Sequence, residues 1–451
     1  MPSPPRPTSC RKACRPSVRG GRRGSVNELE FSCRLKIGTF FRNCSKRPWG
    51  AADPKLALRA RLPQRPRGRT VVVGAGKGAA QLAAAFESLW GGPLEGVVVT
   101  RYGYAVHCDR IRVIEAAHPV PDCNGLIASH ALFEAVRGLT PDDLVVALFC
   151  GGGSALLPCP PEELALEDEI ALNRALLASG APISVMNAIR KQVSRIKGGR
   201  LAAACHPAKV ISFIVSDVPG DDPAQVASGP TVPDATDRAA ARAMRDAWRI
   251  ELPERLVDWL KGENGTAPSP NDPVFAGHEV QVIASARLSL EAAAARADAL
   301  GIPAIILSDA IEGEARDVGK VHAAIAREVV LRNRPFERPV VLLSGGETTV
   351  TLRGHGRGGR NTEFLLSLAI AAEGLSFASL AADTDGIDGS ESNAGAFADG
   401  SSATRLRALG RDPVALLSGN DAWTAFNCLE DLFVPGPTGT NVNDFRAILV
   451  R

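Results

Sequence analysis

The chain has 451 residues, 45% of them hydrophobic and 22% charged, which suffices for a sizeable core and for two domains. No apolar run approaches the roughly 18 residues of a membrane-spanning helix, so we predict no membrane contact. The ten cysteines show no zinc-like spacing. A disulfide framework is not expected in a chain this long, and we predict reduced thiols and a cytoplasmic location.

The net charge of +3 conceals an asymmetry along the chain. Residues 1–50 contain twelve Lys or Arg and two Glu, whereas the remainder has 40 basic and 47 acidic residues. Residues 1–49 lack helix or strand periodicity and are predicted to form a basic, disordered extension. It could be a nucleic-acid-binding arm, an organelle presequence or an extension from an upstream start codon, and we favour the last. The mildly acidic remainder argues against nucleic-acid binding.

From about residue 52, short apolar strands alternate with helical segments. The strands include "TVVVGAG", "GVVVT", "DLVVALFC", "AKVISFIVSD", "EVQVIAS" and "RPVVLLSGGE". This alternation predicts an α/β fold with two α/β domains, residues 50–270 and 271–451, whose largely parallel sheets are flanked by helices. Ligands in such folds bind beyond the carboxyl ends of the strands, where most glycine- and acid-rich motifs of this chain fall.

The first such motif is "VVVGAGKGAA". Gly74 and Gly76 are predicted to let backbone N–H groups face an anion, with Lys77 adding a cation beside phosphates. A Walker A motif would need Ser or Thr where Gly78 stands. The stretch does match GxGxxA, so a Rossmann dinucleotide site is a competing interpretation. The second strand ends at Arg101 and carries no acid for a ribose, although Arg101 would suit a 2′-phosphate.

A second glycine-rich turn after an apolar strand occurs in "LFCGGGSALL". Gly151, Gly152, Gly153 and Ser154 follow a buried strand, and consecutive glycines favour close approach of a ligand or of another backbone. We predict a backbone site for phosphate or carboxylate here, the alternative being a tight turn between packed elements.

A helix is predicted over "SVMNAIRKQVSRIKGGRLA". Its spacing places Asn187, Lys191, Ser194 and Lys197 on one polar face. Taken alone this pattern predicts a solvated charged face, but Lys197 is also a candidate phosphate ligand.

Carboxylates and amides follow the later strands. Asp217 comes after "KVISFIVS", and Asp385 lies in "ADTDGIDG". A carboxylate at a strand end can hold Mg²⁺ or act as a base on a hydroxyl. The segment "SGGETTVTLRGHGRGGRN" adds Glu347, Arg360 and Asn361 as candidate substrate- or phosphate-binding residues, and "TGTNVND" adds Asn441. Cations and carboxylates at several strand ends suit phosphoryl transfer, which needs positioning and charge neutralisation.

Several stretches together resemble the glycerate 2-kinase family with a MOFRL C-terminal domain. They are "HPVPD", "CGGGSALL", "NAIRKQVSRIKGGRLA", "SDVPGDDP", "ASGPTVPD", "GGRN", "DTDGIDG" and "TGTNVND", and they match in order from about residue 50 to the end. The resemblance implies a Rossmann-like kinase domain followed by the MOFRL domain, with the active site in the cleft between them. It places the family's important lysine, aspartate and arginine on Lys77, Asp217 and Arg360.

The resemblance also implies an activity, the phosphorylation of D-glycerate to 2-phosphoglycerate with ATP and Mg²⁺ as cofactors. Asp217 and Asp385 are the candidate metal ligands. The expected partner is this small-molecule substrate, with no nucleic acid and no membrane, and the chain is expected to be a monomer or homodimer. The alternative activity is an NAD(P)-dependent hydroxypyruvate reductase, favoured by GxGxxA and disfavoured by the missing acid.

Overall fold

The protein is described from a computed structural model, which covers residues 53–262, 265–436 and 438–451. The predicted extension, residues 1–49, lies outside the described residues. Within them the chain folds into two six-stranded sheets and one short two-stranded sheet. The strands are β1 Thr70–Ala75, β2 Glu95–Arg101, β3 Ile111–Ala116, β4 Leu144–Cys150, β5 Lys209–Val215, β6 Glu279–Ala284, β7 Ala304–Ser308, β8 Gly313–Glu314, β9 Val340–Gly346, β10 Thr348–Thr349, β11 Phe377–Asp383, β12 Gly395–Asp399, β13 Leu432–Phe433 and β14 Asp444–Val450.

The first sheet is entirely parallel and has the strand order β3-β2-β1-β4-β5-β6. The central strands are buried on both faces, which explains why their sequences are continuous apolar runs. Along β1, Val71 and Val73 pack into one core, and Val72 packs into the core on the opposite face. Each such buried aliphatic side chain stabilises the fold by about 1.5–3 kcal/mol.

Helices cover both faces of this sheet and supply the other side of each core. Leu132 packs on one face, and Phe86 packs on the other. In the described residues the α-helices are α1 Pro54–Arg59, α2 Ala79–Trp90, α3 Cys123–Ala135, α4 Gly153–Leu156, α5 Leu166–Ala178, α6 Ile183–Gln192, α7 Arg200–Ala204, α8 Arg238–Ala247, α9 Glu254–Lys261, α10 Ala286–Asp298, α11 Ala315–Arg332, α12 Arg360–Ala371, α13 Ser402–Ala408, α14 Pro413–Ser418 and α15 Ala422–Cys428.

The second large sheet has the order β13-β12-β11-β14-β9-β7, and here the prediction of a largely parallel sheet is wrong. Only the β7–β9 pair is parallel, whereas β9–β14, β14–β11, β11–β12 and β12–β13 are antiparallel. The last strand of the chain, β14, inserts between β9 and β11. Because these strands are buried on both faces, they have the same continuous apolar pattern as parallel strands, and the sequence does not reveal their direction.

The insertion of β14 decides which residues meet at one edge of the second sheet. Asp444, at the start of β14, is paired with Gly346 at the end of β9 and with Asp383 at the end of β11. The α/β fold class is thus confirmed, with one parallel and one mixed sheet. The boundary predicted at residues 270 and 271 precedes β6, which the structure places in the first sheet.

Candidate active site

Lys77 lies at the point where the chain changes direction in the first sheet. From β1 the chain runs outward to β2 and β3 on one side and then returns to β4, β5 and β6 on the other. The chain after β1 leads into α2 on one face of the sheet, and the chain after β4 leads into α4 on the other face. α/β proteins bind ligands at the carboxyl edge of such a point.

The turn around Lys77 does not offer its backbone to an anion. Its N–H groups are already hydrogen-bonded within the protein, from Gly76 to the Val99 carbonyl at 3.1 Å, from Lys77 to the Gly151 carbonyl at 2.9 Å, from Gly78 to the Cys150 sulfur at 3.1 Å and from Ala79 to the Gly76 carbonyl at 3.1 Å. A phosphate bound here would have to displace these bonds. The side chain of Lys77 is what this turn can present to a ligand.

Gly74 and Gly76 serve strand packing instead. A Cβ atom on Gly74 would lie 2.2 Å from the Leu148 carbonyl oxygen, and one on Gly76 would lie 2.4 Å from that of Cys150. Gly76 also has a φ of 138°, which other residues rarely adopt. The structure therefore gives both glycines a packing role between β1 and β4 in place of the predicted contact with an anion.

The second glycine loop, after β4, lies against the side chains predicted to be catalytic. A Cβ atom on Gly151 would lie 1.7 Å from Asp217 Oδ2, and one on Gly152 would lie 3.0 Å from both Lys77 Cγ and His118 Nε2. Gly152 has a φ of 80°. Its N–H donates to no other residue in the described parts of the chain. The loop thus contacts both Lys77 and Asp217 and leaves a backbone donor beside them.

The electrostatics of Asp217 suit a proton acceptor. Burial raises its pKa to about 6, Lys77 opposes this shift, and the negative charge of Glu347 adds to it. A carboxylate with this pKa is mostly ionised at neutral pH and is a stronger base than an ordinary aspartate. The Asp217 main-chain carbonyl accepts a hydrogen bond from Asn443 Nδ2 at 2.7 Å, which ties it to the segment before β14.

Ser154 and Lys197 are held by other protein groups. Ser154 Oγ lies 2.7 Å from Ser228 Oγ. Lys197 is fully buried, and its ammonium group donates to Glu169 Oε1 at 2.6 Å and to the Leu157 carbonyl at 2.8 Å. Lys197 is therefore an internal ion pair and not an available phosphate ligand.

The predicted solvated face around Lys197 is wrong for the same reason. Asn187, Lys191, Ser194 and Lys197 are all at most 3% exposed. Helix α6 ends at Gln192, so the later residues leave the helical spacing and turn into the interior. Lys191 pairs with Asp234, which likewise could not be inferred from the helix alone.

Arg360 is surrounded by carboxylates at the edge of the second sheet. Its guanidinium donates to Asp444 Oδ1 at 2.7 Å, Glu347 Oε1 at 2.7 Å and Asp383 Oδ2 at 2.6 Å. Burial disfavours its charged form, but the three carboxylates outweigh this and raise the pKa of Arg360 above its usual value. Arg360 thereby positions Glu347, the one of these acids whose charge acts on Asp217.

Asn361 points into the protein. It is fully buried, and its Nδ2 donates to Asp444 Oδ1 at 2.8 Å. Its main-chain N–H and that of Thr362 both donate to Asp388, at 2.9 Å each, so the start of α12 is capped by a side chain from a distant loop. Asn361 therefore belongs to the framework that holds Arg360, and not to a surface that a phosphate can reach.

A cleft of about 350 Å³ opens beside Lys77 and is lined by residues from both halves of the chain. Lys77, Arg101 and Tyr104 line one side, and Asp385 and Asn441 line the other. The Arg101 guanidinium carbon lies 3.6 Å from the centre of the Tyr104 ring, which holds this cation in place. Burial lowers the pKa of Arg101, and Asp385 opposes that shift.

The two predicted metal ligands differ in position. Asp385 lines this cleft, whereas Asp217 lies against Gly151 of the glycine loop and is not among the residues that line the cleft. Among residues 53–262, 265–436 and 438–451, no group of three His, Cys, Asp or Glu side chains is placed to hold a metal ion. A cation here would need ligands from a bound substrate, which is how Mg²⁺ is usually held with phosphates.

Two residues of the site were missed or undervalued from the sequence. The motif "HPVPD" contains His118 without indicating a role for it, and the sequence relates Arg101 only to a 2′-phosphate. A signal exists for both, because Arg101 ends β2, His118 follows β3, and the carboxyl ends of parallel strands meet at one edge. A larger hollow of about 640 Å³, lined by His130, Arg137 and Arg195 among others, contains none of the predicted site residues.

Comparison with known proteins places these features in context. Residues 41–261 match a domain of unknown function, DUF4147, and residues 340–444 match the MOFRL family. The D-glycerate 2-kinase of Thermotoga maritima is 39% identical over 397 residues, 87% of this chain and 94% of that protein. A crystal structure of the glycerate kinase from the same organism superposes with a TM-score of 0.84 and 36% identity, covering 92% of this chain and all of the other.

Other relatives have a different name. A protein of Agrobacterium vitis that is named as a hydroxypyruvate reductase is 53% identical over 404 residues, 89% of this chain and 91% of its own length. Both names therefore attach to proteins that match along most of this chain.

Proposed function

This chain belongs to the glycerate 2-kinase family, and we propose that it transfers the γ-phosphoryl group of ATP to the 2-hydroxyl of D-glycerate. The observation that carries the proposal is the meeting of Lys77, Asp217 and the Gly151–Gly152 loop at the point where the first sheet changes direction. A base, a cation and a backbone donor at one place are what phosphoryl transfer requires.

In this proposal Asp217 accepts the proton of the reacting hydroxyl as the new oxygen–phosphorus bond forms. Its pKa of about 6 supports this role, because the carboxylate is ionised at neutral pH and yet basic enough to take the proton. Glu347 maintains this basicity through its charge, and Arg360 holds Glu347 in position. The alternative role of Asp217, as a ligand to Mg²⁺, is distinguished by the experiments below.

Lys77 stabilises the negative charge that moves from the transferring group to the leaving phosphate. It lies between the glycine loop and the 350 Å³ cleft, so it can contact a phosphate bound on either side. The volume of the cleft lies in the range of about 300–1,000 Å³ that is usual for small-molecule sites, and the Arg101 side chain lines the cleft as a second cation. We assign the nucleotide to this cleft and the acceptor to the glycine loop.

The residues fit a Mg²⁺ ion that is shared with the nucleotide. Asp385 lines the nucleotide cleft, whereas Asp383 and Asp444 are paired with Arg360, and Asp444 also with Arg446. Mg²⁺ commonly uses one or two carboxylates together with substrate phosphates. When bound, the ion neutralises phosphate charge, and Asp385 is the residue that we propose to hold it.

The reductase activity is the second candidate, favoured by the names of the Agrobacterium relatives and by a strand order that also occurs in dinucleotide-binding sheets. The local geometry supports it less well. The N–H groups that a dinucleotide pyrophosphate would use are bonded within the protein, and β2 ends at Arg101 without an acid.

One comparison of assays tests the proposal. Purified protein is given D-glycerate, ATP and Mg²⁺ with detection of ADP, and separately hydroxypyruvate with NADH or NADPH. We expect ADP and 2-phosphoglycerate to form and no oxidation of the reduced nucleotide. Oxidation of NADH or NADPH without kinase activity would instead establish the reductase.

The role of Lys77 is tested with Lys77→Met and the matched control Lys55→Met, which changes an exposed lysine. Loss of a group that stabilises developing charge lowers turnover by about 10²-fold or more. The control is expected to keep the wild-type rate, and both variants are expected to fold. Near-normal turnover of Lys77→Met would contradict the assignment.

The predicted cytoplasmic location remains part of the proposal. It is supported by the described cysteines, since Cys108, Cys123, Cys150, Cys159, Cys205 and Cys428 are all free thiols. No helix in the described residues is long and apolar enough to cross a membrane. The oligomeric state, monomer or homodimer, stays a prediction.

A further inference from the structure

His118 lies beside the Gly151–Gly152 loop, close to Lys77. It comes two residues after β3, and the preceding Ala117 N–H donates to Asp122 Oδ1 at 3.3 Å, which fixes the segment. Neither ring nitrogen of His118 makes a hydrogen bond to another described residue. The ring is only partly buried, so a ligand can reach it.

The glycine loop places His118 and Asp217 at neighbouring positions. His118 Nε2 lies 3.0 Å from where a Cβ atom of Gly152 would be, and Asp217 Oδ2 lies 1.7 Å from where that of Gly151 would be. Consecutive Cα atoms are about 3.8 Å apart. Asp217 and His118 therefore approach neighbouring residues of one loop, along which a three-carbon acid can lie.

The charges around His118 suit an anion. Burial, Lys77 and Arg101 together lower the pKa of His118 to about 4. The ring is thus neutral at physiological pH, with one N–H donor, while the two neighbouring cations supply positive charge. A carboxylate placed here would gain that charge together with hydrogen bonds from the imidazole and from the Gly152 N–H.

We propose that His118 is a substrate-binding residue whose imidazole N–H donates to the carboxylate of the acceptor. The inference rests on the proposed function, because it takes the acceptor to be a 2-hydroxy acid. In such an acid the carboxylate and the reacting hydroxyl are on adjacent carbons, so a hydroxyl at Asp217 brings the carboxylate to His118. The nucleotide is not the partner, because His118 is not among the residues that line the 350 Å³ cleft.

The test compares His118→Ala, which removes the donor, with His118→Gln, which retains an N–H donor, and with the control His130→Gln at an exposed position. Loss of a hydrogen bond to a charged group is expected to raise KM for D-glycerate about 10- to 100-fold in His118→Ala. KM for ATP is expected to change by less than about threefold, because the substitution removes no contact with ATP. His118→Gln should recover part of the loss, and His130→Gln should equal the wild type.

Two further measurements separate a contact with the carboxylate from a packing role. Calorimetric titration of D-glycerate into the protein should show weaker binding for His118→Ala without any nucleotide. The preference of the wild type for D-glycerate over glycerol, which lacks the carboxylate, should shrink in His118→Ala. Lower thermal stability with unchanged binding would assign His118 to packing and overturn the inference.

The remaining outcomes are also decisive. A rise in KM for ATP with an unchanged KM for D-glycerate would place the imidazole at the nucleotide and overturn the inference. An active wild type with an unchanged His118→Ala would overturn the inference alone. A wild type that neither binds nor phosphorylates D-glycerate would overturn the proposed function and this inference together.

Discussion

Asp217→Asn is expected to abolish turnover and at the same time to stabilise the folded protein. The site holds this carboxylate in a partly buried position where burial and Glu347 disfavour its charge. Asparagine has nearly the same shape and no charge. Replacing a catalytic residue that destabilises the fold should raise stability and remove activity, whereas replacing a structural residue should lower stability.

The magnitude follows from the pKa, which rises from 3.8 to about 6. A difference of about two units corresponds to about 3 kcal/mol, at about 1.4 kcal/mol for each unit. Asp217 as a residue is only partly buried, so we expect about 1–3 kcal/mol at neutral pH.

The sign depends on pH. A carboxyl whose pKa is raised in the folded state binds its proton more tightly there than in the unfolded chain. The stability that Asp217 contributes is therefore fully present below pH 3.8 and is lost as the pH rises through about 6. The variant lacks this titration, so it should exceed the wild type above pH 6 and approach it near pH 4.

The assay is thermal unfolding of both proteins between pH 4 and pH 8, with turnover measured on the same samples. Asp222→Asn is the control, because Asp222 is an exposed carboxylate of the same loop. At pH 7.5 the midpoint of Asp217→Asn should be a few degrees higher than that of the wild type, with an inactive enzyme whose ATP affinity is retained. A lower midpoint with an unchanged rate for each folded molecule would refute the reasoning. A loss of ATP–Mg²⁺ affinity, partly restored by high Mg²⁺, would make Asp217 a metal ligand.

Three further predictions concern neighbouring residues. Glu347→Gln removes a charge that raises the pKa of Asp217, so the acid limb of the pH–turnover profile should move to lower pH; an unchanged limb would separate Glu347 from Asp217. Gly151→Ala places a Cβ atom 1.7 Å from Asp217 Oδ2 and should lower turnover about 10²-fold or more in a folded protein, which kinetics and thermal unfolding would check together. Lys197→Met leaves the charge of Glu169 buried without its ion-pair partner, so denaturant unfolding should show that the free energy of unfolding falls by about 3–5 kcal/mol while KM for ATP is unchanged. The double variant Lys197→Met with Glu169→Leu should recover this stability. A stable Lys197→Met with a raised KM for ATP would restore the interpretation of Lys197 as a phosphate ligand.

The sequence alone determined the alternation of strands and helices and the edge where chemistry occurs. Continuous apolar runs such as β1 and β4 predict strands buried on both faces, and the residues after them then meet at the carboxyl edge. Lys77 and Asp217 follow such strands, so both are predicted to lie at the active site. The motifs that follow the strands are sufficient to indicate the family.

Only the tertiary structure decided what each glycine and each charge does. Whether the N–H groups around Gly76 are free depends on how closely β1 approaches β4, which is a matter of register between residues 74 positions apart in the chain, such as Thr70 and Leu144. Whether Lys197 faces solvent depends on the end of α6 and on Glu169, 28 residues away in the chain. The three acids around Arg360 meet because β14 inserts antiparallel between β9 and β11, and apolar patterning is the same for either strand direction.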